Sequence, residues 1–194
     1  MADSSEPHGN EAGLRADLET LYLHLRQTAE AEWDRDLPFS ELLFDRWERA
    51  RTLGFGDGAS VYHASYVYGD VTVGPRTWVG PYTLLDGSGG LTIGENCSIS
   101  AGVHIYTHDT VQWALTNGAA EADRSPVRIG DCCFIGAQSV IVRGVTIGDH
   151  SVVGAGSFVD KDIPPYSVAA GSPSRVIGRV TVKDGRATLT FDAG

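Results

Sequence analysis

Residues 125–160 read SPVRIGDCCFIGAQSVIVRGVTIGDHSVVGAGSFVD. Aliphatic residues stand at Ile129, Ile135, Ile141, Ile147, Val153 and Val159, each six positions after the last. Gly130, Gly136, Gly148 and Gly154 follow them directly. Four positions after each aliphatic comes a small or β-branched residue: Cys133, Ser139, Val145, Ser151 and Ser157. A six-residue unit with one large inward residue, one small inward residue and a glycine-tolerant corner is a short strand plus a turn. Three such units close a triangular coil, and coils stack about 4.8 Å apart as neighbouring strands do. A helix fits poorly, because six is a poor multiple of 3.6 and glycine is costly in helices. An open sheet would show alternation along longer strands.

The period extends towards the N-terminus. Val61, Val67, Val73, Val79, Leu85 and Leu91 keep it. Ile93, Ile99, Ile105 and Val111 continue it two residues out of phase. It lapses between Val111 and Ile129, so a protruding loop is expected over about residues 109–127. Loops longer than the connection requires are often functional. The chain before residue 59 is of another kind. Leu14, Leu18, Leu21, Leu25 and Ala29 form one helical stripe, and Phe39, Leu43, Trp47 and Ala50 a second. Residues 1–58 are therefore expected to be an N-terminal tail and helical cap over the open first coil. The β-helix is expected over residues 59–177, and a C-terminal extension over 178–194.

Composition narrows the function. The 194 residues include 24 Gly, which suits many tight corners, and carry a net charge of −10. That acidity argues against nucleic acid and anionic membrane surfaces as partners. Three cysteines, Cys97, Cys132 and Cys133, do not suggest a disulfide framework. Without a C-x-x-C pair, structural zinc has no support either, and no metal is expected. Residues 1–13 lack the basic and apolar regions of a signal peptide, and no apolar run is long enough to span a membrane. The expected location is cytoplasmic.

Two stretches, LTIGENCSISAGVHIYTHDT (91–110) and SPVRIG…KDIPPYSVAAGSPSRVIG (125–178), resemble the hexapeptide-repeat acyltransferases, including the galactoside and maltose acetyltransferases and the polysaccharide O-acetyltransferases. The resemblance covers residues 61–177. It implies an all-β solenoid, a left-handed parallel β-helix. It also implies acetyl-CoA as co-substrate, a homotrimer with sites between subunits, and a small-molecule acceptor such as a carbohydrate or sugar nucleotide. The segment before the solenoid does not match the galactoside enzymes, so their acceptor does not carry over.

By spacing alone, His108 occupies the fourth slot of its hexad, a corner position shared with Asn96, Cys132, Gln138 and His150. The resemblance makes it the catalytic base, at the loop's mouth. An imidazole can take a proton from a hydroxyl near neutral pH and return it to a departing thiolate. By the same resemblance Asp86 holds an acceptor hydroxyl, and Tyr82 and Trp113 are candidates to stack on a sugar. Phe134 lies along the pantetheine arm, backbone N–H groups around Gly136 and Ala137 face the oxyanion, and Ala155 lines the next coil. Lys161 and Arg175 meet the phosphate end. An amine acceptor, a γ-class carbonic anhydrase using His104 and His108, and a non-catalytic scaffold are the alternatives.

Overall fold

The computed structural model describes residues 11–192 and divides into two compact units between Asp45 and Arg46. The first unit holds α1 (Glu11–Trp33) and α2 (Phe39–Leu43). Tyr22 meets Phe39 edge to face at 5.8 Å, and Arg26 pairs with Asp36 at 2.9 Å. The expected stripe on α1 buries only Ala29, whereas Leu14, Leu18 and Leu21 are exposed. The second stripe is broken rather than continuous. Phe44 is extended (φ −116°, ψ 130°), and Asp45 stands immediately ahead of α3 (Arg46–Thr52), where aspartate is favoured.

In the second unit α3 closes the first coil. Ala50 and Phe55 join the solenoid core. The Arg49 guanidinium donates to the carbonyls of Tyr62 and Ser65, covering backbone acceptors that the first coil would leave open. Arg46 donates to the Tyr62 hydroxyl at 2.7 Å and lies 4.1 Å over the Trp47 ring.

The rest is a left-handed parallel β-helix with three faces. On the first face, Ser60–Val61, Trp78–Val79, Ser98–Ile99, Phe134–Ile135, Val152–Val153 and Ser167–Gly171 stack in parallel. The second face stacks the starts of Tyr66–Val73 and Leu84–Ile93 with His104–Ile105, Val140–Ile141 and Phe158–Val159. The third stacks the ends of those two long strands with Val127–Ile129 and Thr146–Ile147. Successive layers on the first face advance by 18, 20, 36, 18 and 16 residues. The advance of 20 absorbs the phase shift seen in the sequence. The advance of 36 contains the loop.

Inward aliphatics form one continuous core, with Ile99, Ile105, Ile135, Ile141 and Ile147 fully buried. The small inward residues tie layers together. Thr77 Oγ1 donates to the Gly94 carbonyl and accepts the Cys97 N–H, and Ser139 Oγ donates to the Gly154 carbonyl. Cys97 and Cys133 take the same places, with their thiols on the carbonyls of Gly130 and Gly148. At the corners the fourth slot is left-handed, with φ between 53° and 60° at Arg76, Tyr82, Asn96, Cys132, Gln138 and His150. The glycine slot is set by closeness: a Cβ on Gly136 would lie 2.4 Å from the Ala155 nitrogen of the next coil. Ile135→Ala is expected to cost about 2–5 kcal/mol, because the rigid layers around it cannot collapse into the void. Urea unfolding should show a lower midpoint at unchanged slope.

The chain leaves the coil earlier than the periodicity suggests. Val111, expected as an inward aliphatic, lies in α4 (Val111–Leu115) and is 56% exposed. Val127, within the expected loop, is buried and already paired with Leu91. At the other end, Ser174–Lys183 turns back antiparallel on Ser167–Gly171, and Arg186–Phe191 pairs with it in turn. The boundary expected at residue 177 therefore falls inside a strand.

Candidate active site

The site begins where the repeat slips. Gly69 pairs with Gly87 but Val71 pairs with Leu91, so Ser88, Gly89 and Gly90 bulge between the second and third faces. The bulge lets the backbone turn onto its own side chain: the Ser88 N–H donates to Asp86 Oδ1 at 2.9 Å. One layer on, the Thr107 N–H donates to Asp86 Oδ2 at 2.8 Å, and Thr107 Oγ1 to the Asp86 carbonyl at 2.8 Å. The Gly89 N–H closes the cycle on Thr107 Oγ1 at 2.8 Å. Asp86 is left 1% exposed, and its Oδ2 lies 2.6 Å from His108 Nδ1.

Burial alone would raise the Asp86 pKa. The hydrogen bonds from Ser88, Thr107 and His108 outweigh it and hold the carboxyl far below the usual carboxylate range. An ionised carboxylate only accepts, so Nδ1 of His108 carries the proton and donates it to Oδ2. Nε2 of the neutral ring then keeps its lone pair. The His108 side chain is 36% exposed, so the ring is anchored at one nitrogen yet reachable from outside.

His108 is not at a left-handed corner, as its slot suggested. The fourth slot turns left-handed at most corners where the coil continues, as at Gln138 and His150, and here the chain departs instead. His108–Asp109 pairs antiparallel with Asp123–Arg124 at the base of the loop. The Ser125 N–H donates to the Thr107 carbonyl at 2.9 Å, closing the coil beneath. Arg143, at the stacked corner, donates to Asp109 and, at 3.2 Å, to Asp123. That guanidinium lowers the Asp109 pKa, and the contact raises that of Arg143. The loop's two legs are thus pinned to the solenoid beside the imidazole. Nothing in the sequence pattern marks Thr107, Ser88 or Arg143. The phase slip was visible, but not that its donors converge on one carboxylate.

The other candidates fall on different edges of the prism. Asp86, His108, the Trp113 loop and Lys161 belong to the edge between the second and third faces. Gly136, Ala137, Ala155 and the exposed Tyr82 form the edge between the first and second. Phe134 projects half-exposed from the first face, and Arg175 pairs with Ala170 beyond it. Two expectations need correction. Asp86 offers no reachable oxygen to an acceptor, because its carboxylate is buried and shared among Ser88, Thr107 and His108. Gly136 cannot donate to an oxyanion, since its N–H is committed to the Val153 carbonyl at 2.8 Å. The Ala137 N–H has no such partner among the described residues. His104 Nδ1 faces the Tyr106 hydroxyl at 3.2 Å, so the two histidines of the H-x3-H pair have separate partners. Among the described residues, no cluster of three or more His, Cys, Asp or Glu could hold a metal, and no helix is long and apolar enough to cross a membrane.

The model of the hexapeptide repeat of succinyl-transferase matches residues 85–107 and 126–161. The galactoside O-acetyltransferase of Escherichia coli K12 is 39% identical over 132 residues, which are 67% of this chain and 59% of that protein. Serine acetyltransferase 4 of Arabidopsis thaliana is 36% identical over 129 residues, 66% of this chain and 35% of that one. The chain thus spans less than two thirds of these curated relatives. A hexapeptide-repeat-containing acetyltransferase from Vibrio cholerae, solved in complex with acetyl coenzyme A, superposes with a TM-score of 0.63 at 27% identity, over 89% of this chain and 90% of that one.

Proposed function

We propose, because the chain belongs to the hexapeptide-repeat acyltransferase family, that it transfers an acetyl or other short acyl group from acyl-CoA to a hydroxyl of a carbohydrate or sugar-containing acceptor. The observation that carries this is the 2.6 Å contact between Asp86 Oδ2 and His108 Nδ1. It fixes the tautomer whose Nε2 can act as a base. The Vibrio relative's complex with acetyl coenzyme A supports the donor.

Nε2 takes the proton of the acceptor hydroxyl as its oxygen attacks the thioester carbonyl. The imidazolium that forms is stabilised by the buried carboxylate. The Ala137 N–H is the donor for the developing oxyanion. Collapse expels the CoA thiolate, which receives the proton from Nε2. No side chain is acylated, and a single nitrogen takes the proton from the acceptor oxygen and delivers it to the CoA sulfur.

His108 and the Ala137–Ala155 edge are a whole face apart within one chain. A ring of three copies, each setting its Ala137 edge against a neighbour's His108 edge, brings the base and the thioester together. Homotrimer formation is part of the proposal for that reason.

A free-thiol assay with acetyl-CoA against sugars and amino sugars tests the reaction. Thiol release with hydroxyl acceptors is expected. Release with amines alone would replace the hydroxyl reading by N-acylation, and release with no acceptor would end the enzyme reading. Lys161→Ala and Arg175→Ala should raise the KM for acetyl-CoA more than they lower kcat, since a remote phosphate contact is made equally in ground and transition states. Wild-type KM in both variants would remove these two residues from the site.

A further inference from the structure

The C-terminal hairpin carries a surface that this chemistry does not use. Its final strand, Arg186–Phe191, lies last in its sheet, with all six residues exposed and no ladder partner on its outer edge among the described residues. The turn at Asp184 and Gly185 has φ of 51° and 73°, with Lys183 opposite Arg186. Residues flanking such a two-residue turn bond to each other, and the pattern alternates from there. Thr188, Thr190 and Asp192 therefore bond inward, the last to the Ile177 carbonyl at 3.0 Å. Ala187, Leu189 and Phe191 point their N–H and C=O groups outward.

Residues 186–192 read RATLTFD, which complements its own reverse. Laid antiparallel on a second copy with Leu189 opposite Leu189, Arg186 meets Asp192, Ala187 meets Phe191 and Thr188 meets Thr190. The three outward-bonding residues then face outward-bonding residues. One side of the ribbon sets small against large beside the exposed Val182, and the other sets threonines together and opposite charges at both ends. A slip of one residue mismatches the bonding pattern. A slip of two puts Arg186 or Asp192 against threonine and loses both charge pairs. The hairpin itself places Lys183 opposite Arg186, two like charges that a carboxylate from a second strand offsets.

We propose that the final strand pairs antiparallel with the same strand of a second copy, about a two-fold axis at Leu189. Such a contact is isologous and closed. It also covers an edge that would otherwise invite uncontrolled pairing. Alone it gives a dimer, and combined with a ring of three it joins one ring to another.

Sedimentation of the native protein should give an even number of 20.7 kDa chains. Arg186→Asp and Asp192→Arg each set like charges opposite one another at both ends, and each should halve the mass at low micromolar concentration. The double variant restores opposite charges with sides exchanged and should recover the native mass. Leu189→Pro removes an outward N–H without touching an inward bond, so it too should halve the mass with the circular dichroism unchanged. An odd native count, single reversals that keep the native mass, or a double variant that stays dissociated overturns the proposal. Thiol release on the same samples reports separately on the acyltransferase reading, so an even mass without turnover would sink that reading alone.

Discussion

His108→Ala is expected to lower kcat by about 10²–10⁴-fold with the fold and assembly intact, the range typical of losing a general base. The ring is held to the scaffold through Nδ1 to Asp86 and is partly exposed. Its removal takes away the proton acceptor and little packing. His150→Ala is the matched control. His150 holds the same hexad slot, at φ 57°, with its ring stacked 4.8 Å from Tyr166. It should turn over at the native rate. Equal loss in the two variants would mean that the repeat position, not the base, was being measured.

Asp86→Asn is expected to cost about 10²–10⁴-fold in kcat as well, by another route. An amide in place of the carboxylate can donate to Nδ1 and hold the ring in the tautomer whose Nε2 bears hydrogen, removing the base while leaving it in position. Stability should change with a defined pH dependence. The folded carboxyl is held below its unfolded value of about 3.9, so below that value the unfolded state binds the proton more readily. The stabilisation from Asp86 is complete above that value and is lost as the pH falls below it, towards the folded value. Melting temperatures of the two proteins should therefore differ most near neutrality and converge under acid. A constant difference from pH 7 down to pH 3 would show that the carboxylate's charge is not what holds the Thr107 and Ser88 amides.

The solenoid was legible because its period is imposed by steric rules repeated at every coil. An aliphatic fills the prism, a small residue fits the corner, and glycine sits where the next layer comes within van der Waals range. The same rules mislead wherever the chain leaves the coil. Val111 keeps the spacing by coincidence and lies in a loop helix. His108 keeps it too, yet its backbone belongs to the loop's base. The Asp86 pairing was hidden for a different reason. Its sequence neighbourhood, LLDGSGG, reads as a turn, and only the two-residue bulge turns the carboxylate inward towards Thr107 and His108, from a layer some twenty residues away. The final strand is not legible in the sequence because residues 186–192 lie outside the repeat and carry no period, and their complementarity appears only once the hairpin shows which edge is open.

The direct pairing of Ser98–Ile99 with Phe134–Ile135 means that the ladder closes as though residues 108–124 were not there. Those residues connect two points already bridged by Ser125 and Thr107. Doubling the length of such an excursion costs only about 0.6 kcal/mol in closure entropy. The scaffold is therefore nearly blind to what the excursion contains. Insertions, deletions or wholesale replacement within residues 110–122, beyond the legs that Asp86 and Arg143 anchor at His108, Asp109 and Asp123, can alter which molecule is admitted to the imidazole while the prism and the imidazole stay in place. A transplant of this segment between proteins of the same architecture should carry acceptor preference with it, which makes the excursion a unit of exchange for descent and for engineering alike.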